Sequence, residues 1–315
     1  MARRDRLMTP TPLSDLKPVR DRLRGIGDVL DPKDAEEPIL APAVRAAVKG
    51  WLDEIRARDA LAAVGLKPRS SALLSGPPGC GKTTLAHHLA ARLGYPLVTV
   101  GAEHIVTSSL GGSEGNVAKL FATIESLDQP VILFIDEIDA IGSKRRDSSG
   151  DTGGAVTAMN STLTVLLRRL EAFGGTMIAA TNRADTLDPA LWRRFGMQIV
   201  VDLPDEDARW AILKRYGLPY IFADEALDAL AGLTENAAPS LLRQLMEGVK
   251  RRLVLGAMQG SLPASLVEAV AAVVAETQPH PDYDQPPLWA RQASSSQIIS
   301  NISAGQAWPP ARQEA

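Results

Sequence analysis

Apolar and polar positions divide the chain into four stretches. Residues 1–36 are polar, carry Pro10, Pro12, Pro18 and Pro32, and hold no lasting helical period, so they read as a basic, mostly disordered arm. From Pro42 to Val64, the residues Val44, Ala47, Val48, Trp51, Leu52, Ile55, Leu61 and Val64 recur at helical spacing until Gly65. Short apolar runs then alternate with amphipathic segments: Ala72–Ser75, Leu97–Val100, Val131–Ile135, Met177–Ala180 and Ile199–Val201. Runs without polar alternation fit strands buried on both faces, which requires helices on either side of a parallel sheet. The expectation is a three-layer α/β domain with a five-stranded parallel sheet over 37–204. After Pro204 the strand signals stop. Helical segments at about 205–217, 223–233, 239–257 and 262–277 predict a small all-helical domain. From Gln278 to the end, Pro, Ser and Gln dominate, which predicts an extended or disordered tail over 278–315.

Composition narrows the class. The chain has 315 residues, 45% hydrophobic and 23% charged, enough for one large domain with an appendage. A formal net charge of −3 excludes a uniformly basic nucleic-acid binder but leaves room for a local patch. Cys80 is the one cysteine, so no intramolecular disulfide can form, and a reducing, cytoplasmic setting is expected. With four histidines and one cysteine, a structural zinc site is not expected. No apolar run reaches the length of a membrane span. Met1–Arg24 lacks the apolar centre of a secretory signal.

The strongest chemical signal is Gly76-Pro77-Pro78-Gly79-Cys80-Gly81-Lys82-Thr83, the spacing of a phosphate-binding loop between a buried strand and a helix. Its glycines allow backbone N–H groups to turn toward phosphate oxygens, and the following helix, with Thr84 in its first turn, adds the positive end of its dipole. Lys82 is placed to reach the β- and γ-phosphates, and the Thr83 hydroxyl to ligate Mg²⁺. Cys80 reads either as a small residue at a variable position or as a thiol activated by the helix end. A second signal is the apolar run ending in Asp136-Glu137. Ligands of parallel sheets gather at strand C-termini, so Asp136 is expected beside the loop as a Mg²⁺ holder and Glu137 as the group that polarises water. The next run ends Ala180-Thr181-Asn182, where a neutral amide can orient water.

Together these residues resemble the AAA+ ATPases, and more narrowly their AAA clade, over about Glu37 to Leu255. The resemblance rests on Gly76–Thr83, Phe134–Asp139 and the stretch Ala180 to Phe195, which includes Asn182-Arg183-Ala184-Asp185 and Leu191-Trp192-Arg193-Arg194. It implies that Asn182 is the sensor 1 residue. It also implies that Arg193 and Arg194 are arginine fingers reaching a neighbour's γ-phosphate, where positive charge stabilises phosphoryl transfer. A finger supplied in trans implies a homo-oligomeric ring, commonly a hexamer. The helical segments resemble the family's lid, with Ser240 near the sensor 2 position and Arg243 one turn further. Ile39 and Leu40 fall where the family's adenine pocket begins.

Some positions depart from the family. Ser109, followed by Leu110, stands where its pore loop usually carries an aromatic, so the rigid apolar grip on an extended peptide is missing. A second loop carries Lys144, Arg145 and Arg146 among Ser and Gly residues. The expected activity is Mg²⁺-dependent ATP hydrolysis by a ring that remodels or regulates a protein partner. Two alternatives stand beside it. A nucleic-acid-directed loader or regulator draws on the basic arm and Lys144–Arg146, and a nucleotide-gated binding module with slow turnover draws on Ser109. Tyr283, Trp289 and Trp308 lie in the polar tail, which makes Pro286-Pro287-Leu288-Trp289 a candidate anchor for a partner or neighbouring subunit.

Overall fold

The computed structural model describes residues 16–107, 111–143, 153–279, 284–290, 302 and 305–313. Ser109, Leu110, Lys144–Arg146 and Tyr283 lie outside the described residues. The described chain falls into two compact units. One comprises residues up to Pro38, Pro42–Gly76 and Lys82–Val201; the other comprises Ile39–Ala41, Pro77–Gly81 and Asp202 onward.

In the first unit the elements run α1 (Lys17–Arg22), β1 (Asp28–Leu30), a 3-10 turn at Pro32–Asp34, α2 (Pro42–Arg56), α3 (Arg58–Ala63) and β2 (Ser71–Ser75). There follow α4 (Lys82–Leu93), β3 (Leu97–Val100), α5 (Ala102–Ile105), α6 (Gly112–Glu125), β4 (Ile132–Ile135) and α7 (Asp139–Gly142). The unit closes with α8 (Gly153–Ala172), β5 (Thr176–Thr181), a 3-10 turn at Ala184–Thr186, α9 (Pro189–Trp192) and β6 (Met197–Val200). The strands form one sheet in the order β1-β3-β4-β5-β2-β6. All pairings are parallel except that of β1 with β3. Strands β4 and β5 are buried throughout, as their unbroken apolar runs require.

The expected five strands are joined by a sixth, and it comes from the arm. Val29 pairs with Val98 at the sheet's antiparallel edge. The expectation of disorder through residue 36 is therefore corrected for 16–36. Leu16 is buried, and Val19, Leu23 and Ile26 are buried in the core with Phe121 and Ile124. Pro18 sits in the first turn of α1, where its missing N–H has no helical acceptor to lose. The Arg22 guanidinium donates to the Ser126 carbonyl at 2.7 Å, and His87 on α4 bonds the Asp31 carbonyl at 2.8 Å. The helix expected over 42–64 is broken at Ala57 into α2 and α3.

The second unit holds α10 (Glu206–Gly217), α11 (Asp224–Leu233), α12 (Pro239–Gln259) and α13 (Leu266–Glu276), the four helices expected after Pro204. Their apolar faces meet in a core of Leu213, Leu227, Leu230, Leu242, Leu245 and Leu266. Ile39 packs against this core. Among the described residues no helix is long and apolar enough to cross a membrane.

The tail reading needs correction as well. Leu288, Trp289 and Ile302 are buried in the helical core, and Trp308 packs on it. The Trp289 indole donates to the Thr277 carbonyl at 2.9 Å, and the Trp308 indole to the Pro263 carbonyl at 2.6 Å. Ile221 N–H donates to the Ala311 carbonyl at 2.8 Å, and Gln313 N–H to the Pro219 carbonyl at 2.7 Å. A polar composition concealed a few apolar anchors, and each anchor has its place on the helices. Pro286–Trp289 is therefore spent inside its own unit and is not a free docking anchor. Trp289→Ala is expected to destabilise this unit by about 3–5 kcal/mol, read as a lower denaturant midpoint by circular dichroism. An unchanged midpoint would show that the tail adds nothing to the helical core.

Candidate nucleotide site

The glycine-rich turn begins where β2 ends. Gly76 has φ +148°, and a Cβ there would stand 2.0 Å from the Val201 carbonyl oxygen, so no other residue fits without moving backbone. Lys82, the first residue of α4, is buried, and its ammonium donates to the Gly76 carbonyl at 2.7 Å. That bond folds the lysine back across the loop. Thr84 lies half-buried in the first turn of α4, and burial holds the His88 imidazole further along it below its ordinary pKa.

Residues Pro77–Gly81 belong to the second unit. There Ser240 N–H donates to the Gly79 carbonyl at 3.2 Å, and a Cβ on Gly79 would meet the Ser240 Oγ at 2.2 Å. The start of α12 thus seats directly on the turn. Cys80 is buried rather than presented to solvent. Within the same unit, Pro77, Pro78, Gly79, Ser240, Gln278 and Asp284 line a cavity of about 480 Å³. The tail residues in its wall had no counterpart in the sequence reading.

The register of the parallel strands sets the rest of the site. Val100 pairs with Ile135, Ile135 with Ala179, and Ser75 with Thr181, so β2, β3, β4 and β5 end at one sheet edge. Asp136 follows β4 there. The Thr83 hydroxyl donates to Asp136 Oδ2 at 3.0 Å. Glu137 comes next, exposed and with φ +49°, a backbone conformation uncommon for a residue with a side chain. Its N–H donates to Asp136 Oδ1 at 2.9 Å. Asn182 follows β5 and is exposed at the same edge. A hydroxyl and a carboxylate in contact form a hard oxygen donor set, which suits Mg²⁺. Among the described residues no group of three or more His, Cys, Asp or Glu forms a metal cage of its own. A two-ligand set fits an ion that shares its remaining positions with water and phosphate.

The two arginines differ in their surroundings. Arg193 caps the C-terminus of α9 and is exposed; among the described residues it makes no ion pair. Arg194, also exposed, pairs with Glu171 on α8. Such exposed pairs contribute little, so Arg194 is held only lightly. Helix α9 starts at Asp188, a buried N-cap whose carboxylate accepts the Ala190 N–H at 2.7 Å. The Asp188 N–H donates to the Gly142 carbonyl at 2.8 Å, which joins α9 to α7.

Sequence reading gave Asp188, Asp139 and Thr181 no part in the site. Asp188-Pro189 is a helix-start signal that the chain displayed openly. Asp139 and Thr181 offered no local signal, because their partnership spans forty-two residues of chain. Arg243 is engaged with the Glu247 carboxylate at 2.7 Å and lies over the Tyr216 ring.

A buried strand running through a glycine-rich turn into a helix, with an acidic strand end beside it, is the architecture of a P-loop nucleoside triphosphatase. Residues 72–203 match the ATPase family associated with various cellular activities (AAA). This stretch of the chain is an AAA+ ATPase domain. The chain is 40% identical over 188 residues to a proteasome-activating nucleotidase of Pyrococcus horikoshii, covering 58% of this chain and 46% of that protein. It is 35% identical over 216 residues to the AAA family ATPase y4kL of Sinorhizobium fredii, covering 68% and 64% respectively. A nuclear valosin-containing protein-like protein of Mus musculus is 44% identical over 154 residues, 48% of this chain and 18% of its own. The chain spans about half the length of the archaeal relatives it matches.

The Arg243 hydrogen bond is the main cause that holds the Glu247 carboxyl below its ordinary pKa. A depressed carboxylate pKa adds stability above the unfolded value, about 4.3, and that stability is lost as pH falls through the lowered value. Wild type is therefore expected to exceed Glu247→Gln in stability at neutral pH and to converge with it in acid. Chemical unfolding across pH checks this, and a gap that persists after carboxyl protonation would overturn it.

Proposed function

We propose that the chain is a Mg²⁺-dependent ATP hydrolase that works as a homo-oligomeric ring, a hexamer, on a protein partner. The contact of Thr83 with Asp136 at 3.0 Å carries the reading, since it joins the phosphate loop to the acidic strand end. Thr83 and Asp136 would hold Mg²⁺, which supplies positive charge against the phosphate oxygens when bound. Gly76, Pro77, Pro78, Gly79, Cys80, Gly81 and Thr84 would shape the phosphate cradle. Lys82 would leave the Gly76 carbonyl for the β- and γ-phosphates. Glu137, exposed beyond Asp136, would take the proton of the attacking water, and Asn182 would orient that water.

Arg193 and Arg194 would stabilise the transferring group in a neighbouring subunit. Arg193 is the better primary finger, because Arg194 must first leave Glu171. A protein partner is favoured by the likeness to proteins named proteasome-activating nucleotidases. The engagement of Arg243 with Glu247 and Tyr216 favours a structural part for it over a sensor role. The single buried cysteine is compatible with a cytoplasmic setting.

Glu137→Gln is expected to retain ATP while hydrolysis falls by about 10²-fold or more. Arg193→Ala should lower turnover by about 10³-fold without loss of ATP binding, and by more than Arg194→Ala. Turnover per chain should rise with protein concentration as the ring assembles. Full activity of a dilute monomer would refute the trans-acting arginines, and unchanged hydrolysis by Glu137→Gln would refute the base.

A further inference from the structure

We propose that Asp139 and Thr181 form a positioning clasp that sets Glu137 and Asn182 together for hydrolysis. The inference rests on the reading of those two residues given above. Thr181 ends β5 and is 1% exposed. Its hydroxyl donates to Asp139 Oδ1 at 2.7 Å and accepts the Arg183 N–H at 2.9 Å. Asp139 begins α7, two residues beyond Glu137.

The clasp acts on two neighbouring segments. Asp136 N–H donates to the Val100 carbonyl and Ile138 N–H to the Ala180 carbonyl, each at 2.9 Å. Glu137 is the one residue between these two ties, and it absorbs the turn with its positive φ. Nothing in Glu137 itself favours that conformation, so the surrounding bonds must impose it. Asn182 stands between Thr181 and Arg183, and both of those meet at the same hydroxyl. A single buried oxygen thus ties the carboxylate-bearing turn to the amide-bearing turn. Hydrolysis needs both groups on one water, and displacement of either by a fraction of an ångström would misalign attack. Asp139 and Thr181 act through Glu137 and Asn182 and need not touch the nucleotide.

Two readouts on the full chain test this: steady-state ATP hydrolysis, and amide hydrogen exchange over 136–143 and 181–183 without nucleotide. Thr181→Val keeps shape and removes the hydroxyl, whereas Thr181→Ser keeps it. For Thr181→Val, kcat is expected to fall about 10–100-fold with KM for ATP within about two-fold. Exchange at Ile138 and Arg183 should rise about tenfold or more, and Thr181→Ser should restore both readouts. Should Thr181→Val fail to fold, Asp139→Ala breaks the same bond from its less buried end and is expected to behave alike. Exchange unchanged in the variants would overturn the clasp, as would faster exchange with kcat intact. A wild-type chain without hydrolysis would sink the reading of the site instead, and exchange would still decide the clasp.

Discussion

Strands β2, β4 and β5 have apolar neighbours on both faces, and Leu73, Leu74, Phe134, Ile135 and Ala179 are all fully buried. No charged side chain can be carried inside such a strand without a large desolvation cost. Polar chemistry is therefore displaced to the residues just past the strand ends. The parallel register puts those ends on the same side of the sheet, β4 stopping two residues short of β2 and β5, so Gly76, Asp136 and Asn182 emerge at one edge. The site follows from how the sheet is buried, and its loops add the detail.

The close approaches around that edge are strict. Gly76 lies against the Val201 carbonyl, and the Lys82 ammonium is bonded to the Gly76 carbonyl. An amine held by a carbonyl inside the loop is positioned before any phosphate arrives. Thr83 and Asp136 are likewise in contact already. On the proposed function, a phosphate would take only the lysine from its carbonyl, which keeps the reorganisation small. The described connection from α7 through Gly142 and Asp188 to α9 ties the helix that Arg193 caps to the element that follows the acidic turn. Within one unit, the groups proposed to act on a chain's own nucleotide and on its neighbour's share a hydrogen-bonded framework.

The helical unit is completed by sequence that looks unsuited to a core. Trp289 buries its ring and Trp308 packs its partly buried ring on the core, and each satisfies its indole N–H with a backbone carbonyl, so neither leaves a polar group stranded. Four tail anchors, Leu288, Trp289, Ile302 and Trp308, pack against helices that precede them. The start of α12 meets Gly79 in the same unit, so the tail, the helices and residues Pro77–Gly81 belong to one unit.

Much of this was written in local sequence. Unbroken apolar runs marked the parallel strands, because burial on both faces leaves no place for polar alternation. The spacing from Gly76 to Thr83 and the pair Asp136-Glu137 marked the candidate phosphate loop and the acidic strand end, because that pattern is carried by adjacent residues. The same local reading missed β1 and the packed tail, since three strand residues or a few anchors in a polar stretch carry too little periodicity. Tertiary structure alone decided that Arg194 meets Glu171, that Arg243 lies over the Tyr216 ring, and that Thr181 clasps Asp139. Those partnerships join residues on separate turns or elements. They exist only once the packing of the sheet and helices has brought their side chains within hydrogen-bond reach.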